Sequence, residues 1–126
     1  MTENEVSRII LIAAIEVHKI LGGPGLLESV YEEALAYELT LRGLAIERQK
    51  QVPIIFKGKE LKTPLRMDLL VEGKVIVDTK ATEQNIPIFS VQVLTYLRLT
   101  NLKLGMVVNF GYALVKDGVQ RVVNGL

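Results

Sequence analysis

The chain has 126 residues, of which 49% are hydrophobic and 23% charged, with a net charge of +1 and no cysteine. A chain of this size supports one hydrophobic core, burying roughly two-thirds of its unfolded surface, so residues 1–126 are expected to form a single domain. The composition excludes a disordered chain. The lack of cysteine excludes disulfides, thiolate metal sites and cysteine nucleophiles, and the near-neutral charge gives no global signature of a nucleic-acid binder.

Residues 4–21 have helical spacing, with Val6, Ile9, Ile10, Ala13, Val17, Ile20 and Leu21 on the apolar stripe. Glu3 and Glu5 precede the apolar run Ile9–Ile15, so the start is unlike a leader. The run is also far shorter than the ~20 residues of a membrane span. The expected location is the cytoplasm, with no membrane partner. Gly22, Gly23 and Pro24 stop the helix. A second helix is expected from Gly25 to Arg42, burying Leu27, Val30, Ala34, Leu35 and Leu39, with Gly43 as its cap.

The period then changes from helical to extended. Residues 45–56 suit a strand in which Pro53 marks an edge or bulge, and Lys57-Gly58-Lys59 suits a hairpin turn. Leu65, Met67, Leu69 and Val71 alternate with Arg66, Asp68, Leu70 and Glu72, and Val75–Ala81 follows a turn at Gly73. A third helix over residues 88–100 precedes a short buried strand at Leu104–Val108. A turn at Lys116-Asp117-Gly118 leads to a last short strand at Val119–Val123. The order α-α-β-β-β-α-β-(β) predicts an α/β protein with a central mixed sheet flanked by helices.

Side chains two apart on a strand share a face, so Asp78 and Lys80 project together, with Ile76 as the apolar exception beside them. Asp68 lies on the preceding strand. A three-residue loop, Glu72-Gly73-Lys74, would set Val71 opposite Val75 and Asp68 opposite Asp78, whereas a two-residue loop would need a bulge. Two converging carboxylates need neutralising, and all-oxygen ligands suit Mg2+ or Mn2+. Such a cation can acidify a water and offset charge growing on a phosphate, and Lys80 can assist either role. That is the chemistry of phosphodiester hydrolysis. Solvent-facing strand residues would show the same spacing.

Other candidates carry two readings each. Glu28, Tyr31 and Glu32 share one helix face. Glu28 suits the helix dipole or a metal, and Tyr31 suits half-buried packing with its hydroxyl at the edge. Gln92 and Tyr96 share a face of the third helix, where Gln92 needs a partner or exposure. Lys50, Lys57, Lys59, Lys62 and Arg66 suit either a solvated hairpin edge or a phosphate-facing patch. The lone His18 suits a structural or site-edge role. Gly22, Gly23 and Gly25 lack the lysine and hydroxyl residue of a phosphate loop.

Gly25, Glu28 and Tyr31 match the motif that names the GxxExxY protein family. Further similarity lies in Glu16-Val17-His18-Lys19, Arg66-Met67-Asp68-Leu69, Asp78-Thr79-Lys80-Ala81, Gln92-Val93-Leu94-Thr95-Tyr96-Leu97 and Asn109-Phe110. The chain resembles that family over nearly its whole length, and the family is grouped with the PD-(D/E)XK nucleases. The resemblance implies a restriction-endonuclease-like core and Mg2+- or Mn2+-dependent hydrolysis of DNA in repair, recombination or defence. It implies Asp68, Asp78 and Lys80 as catalytic residues, with Gln92 and Tyr96 as the glutamine-and-tyrosine helix motif of exonuclease-like members. Glu28, Asp68, Asp78 and the Thr79 carbonyl would be metal ligands. Relatives usually carry glutamate where Asp78 stands, and no proline directly precedes Asp68, Pro64 lying earlier. A catalytically silent module of the same fold, binding nucleic acid or a partner protein, is the alternative. A homo-oligomer or a larger subunit would extend the grip of so small a chain.

Overall fold

The computed structural model describes residues 1–126. Helices α1 (Glu3–Ile20) and α2 (Glu28–Leu41) precede strands β1 (Ile46–Val52), β2 (Ile55–Phe56), β3 (Lys59–Glu60), β4 (Leu65–Val71) and β5 (Val75–Lys80). Helix α3 (Pro87–Thr100), β6 (Leu104–Asn109), a 3-10 turn (Val115–Gly118) and β7 (Val119–Val123) complete the chain. The main sheet runs β1-β4-β5-β6-β7, and β2 pairs only with β3. β5 and β6 are parallel and the other neighbours antiparallel, giving the mixed sheet expected. The expected strand 45–56 is interrupted at Pro53, which has no N–H for a ladder, and its end forms the separate β2–β3 hairpin.

Helices cover both faces of the sheet, which is why β6 is buried along its whole length. Val75 and Val77 of β5, with Leu104, Met106 and Val108 of β6, pack against α1 and α2. Ile76 and Val107 point the other way and join Val93 and Leu97 of α3. The Val93 side chain of α3 seats against β6 because Gly105 stands there: a Cβ would lie 2.4 Å from Val93 Cγ1. α1 begins with a capping box, Thr2 accepting from the Glu5 N–H while Glu5 accepts from the Thr2 N–H.

Two sequence expectations are corrected. Ile20, Leu21, Leu27 and Val30 are exposed; α2 buries Leu35 and Leu39 as expected, together with Tyr31, Glu32 and Ala36. The carboxylate of Glu32 is admitted because Gln49 Nε2 donates to it at 2.7 and 2.9 Å and Arg48 Nη2 at 3.1 Å. The alternation of β4 also reverses part-way. Leu69 and Val71 pack on the α1/α2 side, whereas Leu65 and Met67 pack with α3. The turning point is Asp68 and its partner Gln49, a pair missing from the β1–β4 ladder, where Gln49 adopts a left-handed φ of 51°. Such backbone costs on the order of 1 kcal/mol for a non-glycine residue, and the two bonds to Glu32 offset it.

Candidate active site

The β4–β5 connection is the three-residue loop Glu72-Gly73-Lys74, with Val71 opposite Val75 and Leu69 opposite Val77. One more step in this register sets Asp68 against Asp78. There the ladder stops, and the Asp68 side chain takes over: its Oδ2 accepts from the Thr79 N–H at 2.9 Å and from Thr79 Oγ1 at 3.2 Å. Thr79 is fully buried, so Asp68 is held firmly. The Lys80 carbonyl accepts from the Phe110 N–H on the β6 side. Alternate residues of a strand face opposite neighbours, so the Thr79 carbonyl faces β4 beyond the last ladder pair.

Asp78 projects on the α3 side with Lys80, whose Nζ lies 3.5 Å from Asp78 Oδ2. That is close enough for charge attraction but not for a formed hydrogen bond, and Asp78 Oδ2 is buried without a hydrogen-bond partner. Burial chiefly pushes the Asp78 carboxyl up to about 7; Lys80 pulls against this and the neighbouring Asp68 adds to it. The Lys80 ammonium also sits 4.8 Å from the centre of the Phe89 ring, which supports the stem and attracts the charge.

Glu28 opens α2. Its start is set by Tyr31, whose hydroxyl donates to the Gly23 carbonyl at 2.7 Å and accepts from the Leu26 N–H at 3.2 Å. Tyr31 is fully buried, unlike the half-buried position expected, and stacks on Phe110 at 4.6 Å. Glu28 is exposed as a residue, yet its carboxyl is raised, first by partial desolvation and then by Asp68 and Glu32, with Lys80 opposing. On α3, Gln92 Nε2 donates to the Tyr96 hydroxyl at 2.8 Å, so Gln92 is both exposed and partnered.

Glu28, Asp68, Asp78, Lys80, Gln92 and Tyr96 line one cleft of about 350 Å³, together with Pro64 and Arg66. A larger groove of about 610 Å³ lies between α2 and β1, but its walls are mainly apolar. The sequence reading missed Pro64 as a site residue, assigned Arg66 only to the basic run and gave Phe89 no part beside Lys80. Arg66 lies two residues before Asp68 on one strand, and Phe89 lies three before Gln92 on α3; both spacings were available signals. His18 is outside this cleft, buried with its Nε2 3.0 Å from the Phe110 carbonyl, in keeping with a structural role.

The cleft offers a hard cation the carboxylate oxygens of Glu28, Asp68 and Asp78. A buried carboxylate oxygen without a partner is what such an ion would satisfy, so these residues fit Mg2+ or Mn2+. The three carboxylates share the cleft but are not drawn together: no group of three His, Asp or Glu side chains is close enough to hold a metal ion. Asp68 is turned to Thr79, and Glu28 stands on the exposed first turn of α2.

A mixed sheet covered on both faces, with an acid on one strand and an acid-x-lysine pair on the next, defines a restriction-endonuclease-like α/β protein. Residues 4–122 match the family model of the PD-(D/E)XK nuclease superfamily, and the chain belongs to that superfamily. Its members are generally dependent on divalent metals. Among solved structures, the chain is similar to the crystal structure of SSO0001, with 17% identity and a TM-score of 0.44, over 96% of this chain and 79% of that one. No curated protein sequence matches it. No helix is long and apolar enough to cross a membrane.

Proposed function

We propose that residues 1–126 act as one metal-dependent nuclease domain of the GxxExxY kind, hydrolysing DNA phosphodiester bonds in the cytoplasm. The observation that carries this reading is the buried, unpartnered Asp78 Oδ2 beside Asp68 and Lys80, an arrangement that costs stability unless a cation completes it. Asp68, Asp78 and the Thr79 carbonyl would hold Mg2+ or Mn2+, with Glu28 reaching it directly or through water. A cation bound there supplies a more acidic water and positive charge against the phosphate.

The chain's own residues do the rest. Lys80, steered by Asp78 and the Phe89 ring, directs its ammonium protons at the attacking water or at the non-bridging phosphate oxygens as negative charge grows on them. Thr79 holds one oxygen of Asp68 in place and leaves the other for a ligand. Gln92, anchored by Tyr96, presents amide groups that can position a phosphate or water. Arg66 is exposed on the cleft wall and provides a further phosphate contact.

A second reading, a silent module that binds nucleic acid or a partner protein through the same cleft, is favoured by the fact that no three acidic side chains stand close enough to hold a metal ion. Incubation of single- and double-stranded DNA with the purified chain in Mg2+, Mn2+ or chelator separates the two. The nuclease reading expects metal-dependent cleavage that falls ~10²–10³-fold or more in Lys80→Ala and Asp68→Ala. Cleavage that survives both substitutions belongs to a contaminant, and binding without turnover in any metal supports the silent module.

A further inference from the structure

The β2–β3 hairpin is an appendage. Residues 55–60 are all exposed, and its only pairing is within itself, Ile55 with Glu60 and Phe56 with Lys59. Lys57 and Gly58 turn it with φ values of 50° and 79°, the signs of a type I′ turn. The base is fixed by the Leu61 N–H donating to the Ile54 carbonyl, and Ile54 packs against the α3-side core.

The chemistry of this tip is unusual for a mere edge. Charged side chains alone would suffice to blunt an edge against aggregation. Here Ile55 and Phe56 stand 60% and 59% exposed on a two-residue strand, and Lys57 Nζ lies 5.6 Å from the centre of the Phe56 ring. Lys59 and Lys62 add positive charge with Glu60 as the only acid between them. The return limb leads directly to Pro64 and Arg66, which line the acidic cleft. Within the cleft only Lys80 and Arg66 face a polyanion against three carboxyl groups, so further cations that hold the substrate would stand around it.

We infer that this hairpin is a finger that grips unpaired nucleic acid: Phe56 stacks on an exposed base, and Lys57, Lys59 and Lys62 hold the flanking phosphates leading to Arg66. The inference rests on the nuclease reading for what enters the cleft, and it narrows the substrate to a single strand or a frayed end. An aromatic face takes any base but needs one out of the duplex stack.

The chain contains no tryptophan, so Phe56→Trp creates a single reporter. In a chain that also carries Lys80→Ala, titration with single-stranded DNA and RNA oligonucleotides is expected to quench its fluorescence saturably, and blunt duplex much less. In the Lys80→Ala chain, Phe56→Ala weakens oligonucleotide binding by about 5- to 150-fold. Replacing Lys57, Lys59 and Lys62 by glutamine flattens the plot of log affinity against log salt by about 2. Unchanged thermal unfolding shows that each variant is folded. Absent quenching, with oligonucleotide still bound and the wild-type chain still cleaving, overturns the finger and leaves the nuclease reading standing. A wild-type chain that neither binds nor cleaves overturns both. Quenching by anionic phosphatidylserine vesicles but not by oligonucleotides would reassign the tip to a membrane surface and overturn the inference.

Discussion

Asp78 and Asn109 lie one strand apart in the centre of the sheet, both buried and both polar, yet the molecule treats them in opposite ways. Asn109 is fully engaged. Its Oδ1 accepts from the N–H groups of Thr82 and Gly111 at 3.1 and 2.9 Å, and its Nδ2 donates to Thr82 Oγ1 and Asn85 Oδ1 at 2.9 and 3.0 Å. Those bonds tie the segment after Lys80 to the end of β6. Asp78 has an oxygen that nothing satisfies. A satisfied buried polar network specifies structure, whereas an unsatisfied group is a standing cost that a ligand can remove. The contrast separates what holds the fold from what the fold holds in readiness.

The largest effect should come from Asn109→Ala, which removes four hydrogen bonds of a fully buried side chain and leaves the Thr82 and Gly111 N–H groups without their acceptor. We expect a loss of about 3 kcal/mol or more, seen as a lower urea midpoint at unchanged slope. An unaltered midpoint would remove the structural half of the contrast. Saturating Mn2+, at about 100 times its dissociation constant and pH 8, should stabilise the wild-type chain by roughly 2.7 kcal/mol. That gain should vanish in Asp78→Asn, and an equal gain in both would move the ion elsewhere.

Without metal, Asp78→Asn should stabilise the chain at pH 8, by on the order of 1–2 kcal/mol, while removing cleavage. The sign follows from proton binding. The native Asp78 carboxyl holds its proton up to about pH 7, against an ordinary value of 3.8. The native state therefore binds more protons than the unfolded chain in that window, and this contribution to stability falls as pH rises through it. Thermal unfolding of wild type and Asp78→Asn should differ little at the acid end of the window, diverge progressively through it and keep a constant gap above about pH 7. Parallel curves would mean that Asp78 is ionised in the fold at no cost.

The register that faces Asp68 with Asp78 was legible because the Glu72-Gly73-Lys74 loop and the apolar pairs beside it allow few alternatives. The acid-x-lysine pair was legible for the same reason, since strand parity is local. What resisted was non-local. The reversal of β4 at Asp68 depends on Gln49 adopting left-handed backbone to reach Glu32, two elements away, and nothing in the alternation of Leu65 to Val71 reports it. The exposure of Leu27 and Val30 was equally hidden, because which apolar flank of α2 is covered depends on where α1 and β1 lie. Arg66 was visible as charge but not as a wall of the cleft, since the fold of β4 against α3 decides that.

Tyr31 gives the Gly25-Glu28-Tyr31 spacing a mechanical meaning. With its ring stacked on Phe110 and its hydroxyl tied to Gly23 and Leu26, it anchors α2 at a fixed rotation as well as a fixed depth. One residue inserted between Glu28 and Tyr31 would swing Glu28 by about 100° around the helix axis and aim it away from the two aspartates. The tyrosine thus works as a ruler, and in that short stretch length matters as much as composition.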